Sequence, residues 1–337
     1  MVNSDIKNSI GELNPNLFKE ILTEFSKDLH ISKWDMGASS SRDISVQVQD
    51  GNAKQLKGSQ RNSLTLRVWN DNKVGITSTS DLTNAGIKKA IIGAIEASFF
   101  GNEKESPDFS SLAKSPIKEL NCKHSKSHGI DELLTILKKA EKQLIETHSA
   151  INSVPYNGLS ESYMERLYIN SEGANRFMKI SQSSIYLYAK AQLNQKKPRS
   201  AGVVKINTTL DELDITSCIK ETSEKLVSHL NYEAIKTNKY LICFTPEAFL
   251  QLIIAFSSMF NARSIVDGLS LMTEDSVGNQ IAVKSLNISD EGLHPYNVGA
   301  FSFDGEGTPT QNINLIQSGV LRNLLHSEST ARKFGVK

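Results

Sequence analysis

Cysteine is scarce in this chain. Cys122, Cys218 and Cys243 are scattered over 337 residues, too few and too far apart for a disulfide framework, and a reducing cytosol suits them best. Long apolar runs are missing too. The longest apolar-rich segment, Ala248 to Phe260, is shorter than a membrane span and contains Gln251 and two serines, so no membrane partner is expected. The charges show no bias: 38 Lys and Arg stand against 37 Asp and Glu, a net charge of +1. No basic field is present to hold nucleic acid. None of the seven histidines is followed by Glu, which removes the His-Glu-x-x-His helix of a zinc protease. The Gly-x-Ser-x-Gly nucleophile elbow is absent as well. The N-terminus has no basic region leading into an apolar core, so no secretion signal is read there, and a cytoplasmic location is expected.

What is present suits a folded α+β protein. Hydrophobic residues make up 39% of the chain and charged residues 22%, enough for a packed core and a length for roughly two domains. Asn16 to Leu29 places Leu17, Ile21, Phe25 and Leu29 on one helical stripe. The period then falls to two. Ile44, Val46 and Val48 alternate with polar residues, as do Leu64, Leu66 and Val68, with turns at Asp50–Asn52 and Asn70–Lys73. A helix capped by Ser80 or Asp81 follows, striped through Ile87, Ile91 and Ile95. The first third therefore reads helix, a meander of about four strands, helix.

The same order returns after a polar stretch. Asp131 is expected to cap a helix carrying Leu133, Leu137 and Leu144. Four strands are expected next: Tyr163–Ile169, Arg176–Ile180, a third holding Ile185, Leu187 and Tyr188, and Ala201–Ile206. A helix over Leu210–Leu230 closes the repeat. Two related α+β units, sharing one sheet, are one reading of this order; a chance similarity is the other. The resulting division is residues 1–102 for the first unit, 103–130 for a polar linker, 131–235 for the second unit and 236–337 for a β-rich C-terminal domain. In that domain "YLICF" reads as a buried strand. Pro246 opens a helix, Glu247–Met259, that is apolar nearly all round and is expected to be core.

Chemistry is sparse. Cys122, His124 and His128 form a Cys/His cluster without a second ligand pair, and a solvated loop is the better reading. Near the C-terminus, "FDGEGTPTQ" sets Asp304 and Glu306 among Gly305 and Gly307. Its spacing fits neither an EF-hand calcium loop nor a phosphate loop, which needs a Lys and a following helix. A tight glycine turn before a hairpin remains.

The order of residues in that stretch is informative in another way. "FDGEGTPTQNINLIQSGVLRNLLHSESTARKFG", "VQVQDGNAKQLKGSQRNSLTLRVWNDNKVGITSTSDLT" and "NARSIVDGLSLM" together resemble, in order, the TldD/PmbA family, also called modulator of DNA gyrase. The resemblance implies an α+β N-terminal region followed by a mainly β C-terminal domain, and a cytosolic protease built of two related subunits. TldD-type chains resemble zinc peptidases carrying His-Glu-x-x-x-His on the central helix; PmbA-type chains, also called TldE, lack it and pair with them. Here the two His positions fall at Gln251 and Phe256, and the Glu position falls at Leu252. The family's further Cys would fall near Leu286–Ile288, where none stands. Gln is a poor zinc ligand, Phe is none, and Leu is no general base.

The resemblance thus implies a PmbA/TldE-type subunit with no catalytic residue, no metal and no cofactor of its own, the zinc lying in a TldD-type partner. Linear or unfolded peptides would be the substrates, held as added strands along a sheet edge. Asp304, Glu306, Gly307 and Arg263 are candidate cleft or interface residues. Family chains usually run on past the "A-R-x-x-G" stretch, so a shortened C-terminal domain is expected. Two other readings compete: a stand-alone metallopeptidase using His294, His326 and Glu306, and a binding protein that regulates gyrase. A homodimer of the isolated chain is also compatible with the sequence.

Overall fold

Two three-stranded antiparallel meanders lie side by side in a single six-stranded sheet. The computed structural model describes residues 13–101, 108–118, 128–194, 196–294 and 296–336. The first meander is β1 (Lys33–Gln49), β2 (Asn52–Asn70) and β3 (Lys73–Thr79), flanked by α1 (Pro15–Asp28) and α2 (Asn84–Ser98). The second is β4 (Ile151–Asn170), β5 (Asn175–Ala191) and β6 (Arg199–Asn207), flanked by α3 (Ile130–Glu146) and α4 (Ile215–Ser228). The sheet order is β3-β2-β1-β4-β5-β6. The α–β–β–β–α order therefore occurs twice, and the two copies join through antiparallel pairing of β1 with β4 from Asp35↔Asn170 to Val46↔Leu159. The chain is an α+β protein, as its sequence pattern indicates.

Local sequence explains the elements. Asn14 accepts from the Asn16 and Leu17 amides at 3.1 and 3.2 Å, and Pro15 follows at the first helical position, so α1 starts there. The β1–β2 turn is Asp50–Gly51, with φ of 51° and 74°; the β2–β3 turn is Asp71–Asn72, with 48° and 61°. Positive φ at both central residues matches the right-handed twist of a hairpin.

Four expectations are corrected. Each meander has three strands, because Arg176–Ile180 and Ile185–Tyr188 belong to one strand, β5. The "SQSS" between them stays extended, and Ser184 shares a hydroxyl hydrogen bond with Ser160 of β4 at 2.8 Å. Thr83, not Ser80 or Asp81, caps α2, while the Asp81 carboxylate accepts from the Thr83 amide and hydroxyl. Gly129 occupies the N-cap of α3, and Asp131 sits one step inside its first turn, where it favours the helix dipole. Residues 108–118, expected in a polar linker, pack against the sheet: Phe109 and Ala113 are buried, and the Phe109 ring meets Trp69 edge-on at 4.9 Å.

All four helices cover one face of the sheet. Under α1 and α2 lie Trp34, Met36, Leu64, Leu66, Val68, Leu167 and Ile169, packed on Phe18, Leu22, Ile87 and Ile91. Under α3 and α4 lie Val46, Val48, Leu159, Ile185 and Leu187, packed on Leu133, Leu137, Leu144 and Leu226. Each such side chain contributes about 1.5–3 kcal/mol through removal from water. The opposite face carries the alternate residues, including Asp35, Arg67, Tyr168 and Arg176.

The C-terminal part holds α5 (Pro246–Ala255), a 3-10 turn at Ser257–Phe260, α6 (Ala262–Val266), β7 (Ile288–Glu291), β8 (Asn312–Gln317), β9 (Val320–Leu321) and α7 (Glu328–Phe334). The strands form a small sheet ordered β7-β8-β9, with Phe260, Leu315, Ile316, Leu321 and Leu324 as its core. Two expectations fail in this region. "YLICF" forms no strand, and Leu241 is fully exposed. Helix α5 ends at Ala255 and has no buried residue. Its apolar side chains favour burial, but no element among the described residues covers them.

Candidate functional site

Sheet register creates the most concentrated polar cluster. Asp35 on β1 stands opposite Arg67 on β2, and Tyr168 of β4 pairs with Gly37 and Arg176. Asp35 accepts from Arg67 Nε at 2.8 and 3.1 Å to its two oxygens, from Arg67 Nη2, and from the Tyr168 hydroxyl at 3.0 Å. Asp35 and Tyr168 are each 2% exposed. Burial works against the Arg67 charge, but the hydrogen bonds and charge of Asp35 outweigh it and hold the guanidinium protonated. Burial, followed by the charge of Asp35, pushes the Tyr168 phenol far up, so it remains a donor.

The acidic glycine turn docks onto this cluster. Asp304 Oδ1 accepts from the amides of Glu306 and Thr308 at 2.8 and 2.9 Å, an arrangement that closes the turn on itself. Glu306 lies 3.7 Å from Arg67 Nη1 and accepts from the Glu328 amide at the start of α7 at 2.9 Å. Burial raises the Glu306 carboxyl above its ordinary range, although the Glu328 amide and Arg67 oppose the rise. Gly307 has φ of 76°, and a Cβ there would come within 2.4 Å of the Tyr168 ring, so only glycine fits. Its carbonyl accepts from Arg176 Nε at 3.2 Å, while Arg176 Nη2 donates to the carbonyls of Leu112 and Ser115. Arg166 lies over the Phe301 ring at 4.8 Å. Phe303, Ala113, Tyr168, Ala174 and Met178 complete an apolar cluster around it.

The cluster thus clasps three segments: the sheet, residues 108–118 and the turn leading to α7. Glu306 is committed to an amide and a guanidinium, and Asp304 to its own turn. These two acids and Gly307 lie together in the turn. Arg263 does not join them; it pairs with Asp267 at the C-cap of its own helix at 2.9 Å. Asp35, Arg67, Tyr168 and Arg176 were not singled out in the sequence. Asp35 and Arg67 alternate with apolar residues in ordinary strand fashion, and only register shows that they meet.

The three residues of the stand-alone peptidase reading have separate partners. His294 lies 3.9 Å from Glu291 and packs against Tyr296. His326 lies 3.3 Å from the Thr330 hydroxyl, and burial lowers its pKa. Among the described residues no three His, Cys, Asp or Glu side chains gather as a metal site. The Cys218 thiol is buried and pushed up to about 11, so it is no thiolate nucleophile at neutral pH. Of the Cys/His cluster, Cys122 and His124 lie outside the described residues. His128 is held: its Nδ1 lies 2.8 Å from Glu161, and its Nε2 lies 3.5 Å from Asp211. The Glu161 hydrogen bond raises its pKa.

Helix α5 is the other notable feature. Thr245 caps it, accepting from the Ala248 amide at 3.3 Å, and Pro246 opens it. Gln251, Leu252 and Phe256 occupy the positions that the resemblance assigns to a zinc motif. They supply one neutral amide and no imidazole, thiolate or carboxylate, a set that does not fit zinc. Instead the segment presents Tyr240, Leu241, Ile242, Phe244, Leu250 and Ile254 to solvent, each at least half exposed.

Known proteins match the chain along most of its length. Residues 34–98, 123–230 and 237–337 match, in order, domain 1, the central domain and the C-terminal domain of the PmbA/TldA metallopeptidases. The metalloprotease PmbA of Escherichia coli O157:H7 is 21% identical over 313 residues, covering 90% of this chain and 68% of the relative. A metalloprotease of Methanothermobacter thermautotrophicus is 23% identical over 318 residues, covering 90% and 66%. The chain spans 60–68% of the length of the curated relatives that it matches along most of its own length. Among solved structures, a candidate modulator of DNA gyrase from Thermotoga maritima superposes with a TM-score of 0.86 at 22% identity, covering 96% of this chain and 73% of that one. TldE from Thermococcus kodakarensis superposes with 0.78 at 17%, covering 95% and 72%. At these identities the likeness is one of fold. Among the described residues no helix is long and apolar enough to cross a membrane.

Proposed function

The chain belongs to the PmbA/TldD metallopeptidase family, and from that premise we propose that it is a non-catalytic subunit of PmbA/TldE type. It assembles with a TldD-type subunit that carries the zinc and the hydrolytic chemistry. The complex processes or degrades linear or unfolded peptides in the cytoplasm, and this chain contributes no metal ligand and no general base.

The observation that carries this reading is helix α5. At the positions that the resemblance assigns to a zinc motif stand Gln251 and Leu252 of this helix and Phe256 at its C-cap, none of which activates water or holds zinc. The exposed apolar surface around it supports a second polypeptide as its cover, since patches of this kind mark interaction sites. The clasp formed by Asp35, Arg67, Glu306 and Gly307 supports a scaffolding role, because every acid in it already has a partner. The gyrase-modulator assignment belongs to relatives; the balanced charge of this chain offers no basis for direct DNA contact.

The reading is tested on the purified chain by metal analysis after dialysis and by assay against unstructured peptides. Sub-stoichiometric zinc and no cleavage are expected. One bound zinc per chain, or peptide cleavage lost on chelation, would overturn it.

A further inference from the structure

The two meanders repeat the same geometry, yet they treat their edges differently. In each, the third strand pairs only with the second half of the middle strand: β3 covers β2 from Leu64 to Asn70, and β6 covers β5 from Ser183 to Ala191. Among the described residues, the first halves have no strand alongside on that outer side. In β5 this half is protected, with every residue from Arg176 to Gln182 buried or half-buried. Residues 108–118 and 301–307 pack there through Arg176 and Met178. In β2 the corresponding half is open. Every residue from Asn52 to Gly58 is exposed, and no strand among the described residues pairs with Asn52–Ser63 beyond β1. At about 3.3 Å per residue, these twelve residues offer roughly 40 Å of edge whose outward amides and carbonyls can bond an added strand.

The chemistry of this edge is mainly cationic, although Arg61 already pairs with Asp43 of β1 at 3.1 Å. Residues 52–63 read "NAKQLKGSQRNS", with Lys54, Lys57 and Arg61 and no acid. Lys57 pairs with Ser45 and Arg61 with Ser41, so both cations belong to the sheet face that the helices leave uncovered. They lie four residues apart, on the same side of the strand. We propose that the β2 edge from Asn52 to Ser63 binds an extended acidic peptide segment as a seventh strand. Main-chain hydrogen bonds hold the peptide, and carboxylates at alternate positions lie beside Lys57 and beside Arg61, whose charge Asp43 partly neutralises. A second copy of this chain is a poor occupant. Antiparallel pairing of two such edges brings Lys57 and Arg61 of one against the same cations of the other, with no acid in either stretch, and like charges opposite each other destabilise a ladder. Leu56, half-exposed on the other side of the strand, adds one apolar contact.

The inference names the charge class of peptide that the proposed complex would handle and takes its biological sense from that reading, but the binding belongs to this chain alone. Its test uses the full 337-residue chain and three labelled twelve-residue peptides in a fluorescence anisotropy titration. One alternates Glu with Thr and Val, one carries Lys in place of each Glu, and one is the Glu peptide with alternate backbone amides N-methylated. The Glu peptide is expected to bind, more weakly as salt rises, and to slow amide exchange within residues 52–63. The Lys peptide and the N-methylated peptide should each bind about tenfold more weakly or less, and Lys54→Glu/Lys57→Glu should weaken the Glu peptide by about tenfold. Both lysines are exposed, and unchanged circular dichroism would show that the variant folds. Equal binding of the N-methylated peptide means charge adsorption without a strand and overturns the inference. So does equal binding of the Lys peptide, or no binding at all. A chain that co-purifies with a TldD-type subunit yet ignores the Glu peptide refutes only this inference; a chain that binds the peptide but no such subunit refutes only the subunit reading.

Discussion

Replacing Arg67 with leucine removes one side of a buried ion pair. The Asp35 side chain is 3% exposed and that of Arg67 14%, so little solvent would reach the carboxylate left behind. Asp35 would keep the Tyr168 hydroxyl at 3.0 Å but lose every guanidinium bond, and Glu306 would lose the cation 3.7 Å away. Breaking a buried pair from one side costs about 3–5 kcal/mol. Most of that is the penalty of an uncompensated charge, so the same change in an Asp35→Asn background should cost only about 1–2 kcal/mol. Urea unfolding followed by circular dichroism measures both values. Limited proteolysis gives a second readout, since loss of the clasp should expose the chain between Phe301 and Gln311 to cleavage. An Arg67→Leu cost below about 1 kcal/mol, or an equal loss in the Asp35→Asn background, would refute a coupled buried pair.

Other outcomes follow from the same geometry. Gly307→Ala combines a left-handed backbone with a Cβ 2.4 Å from a buried ring; it should cost about 2–4 kcal/mol, whereas Gly173→Ala, with positive φ but open space, should cost only about 1–2 kcal/mol in the same urea experiment. His128 is raised by its hydrogen bond to Glu161, so its contribution to stability is fully present below about pH 6.5, its unfolded value. That contribution is lost as pH rises through the higher folded value. His128→Gln should therefore flatten the stability profile over that window, and an unchanged profile would refute the assignment. Leu250→Glu/Ile254→Glu on α5 should leave the unfolding free energy in urea within about 0.5 kcal/mol of the parent, as exposed substitutions do, while abolishing co-purification with a TldD-type subunit; retained co-purification would place the interface elsewhere.

The meanders were legible because period two, the Asp-Gly turn and the Asp-Asn turn are local signals. The second meander has three strands where its sequence predicts four, because the polar "SQSS" stays extended within β5: hydroxyls paired across a sheet do not interrupt a strand. The clasp was not legible. Asp35 and Arg67 are 32 residues apart and Tyr168 is 133 from Asp35, so only register places them together. The glycine turn was noticed for its acids, although its decisive residue is Gly307, whose missing side chain makes room for Tyr168. Helix α5 is the most instructive failure. An all-round apolar pattern states that burial is favourable, and it does not say which polypeptide supplies the cover.

Division of labour between two related chains is the centre of this account, and reconstituted catalysis tests it most directly. The chain is co-expressed with a TldD-type subunit carrying His-Glu-x-x-x-His, and the complex is assayed on an unstructured peptide. A stable complex is predicted, with one zinc per pair. Its cleavage should be abolished by replacing the Glu of the partner's motif, and unchanged in rate per assembled complex when Gln251 of this chain becomes Ala. Failure of the two chains to associate, or chelator-sensitive cleavage by this chain without its partner, would contradict it.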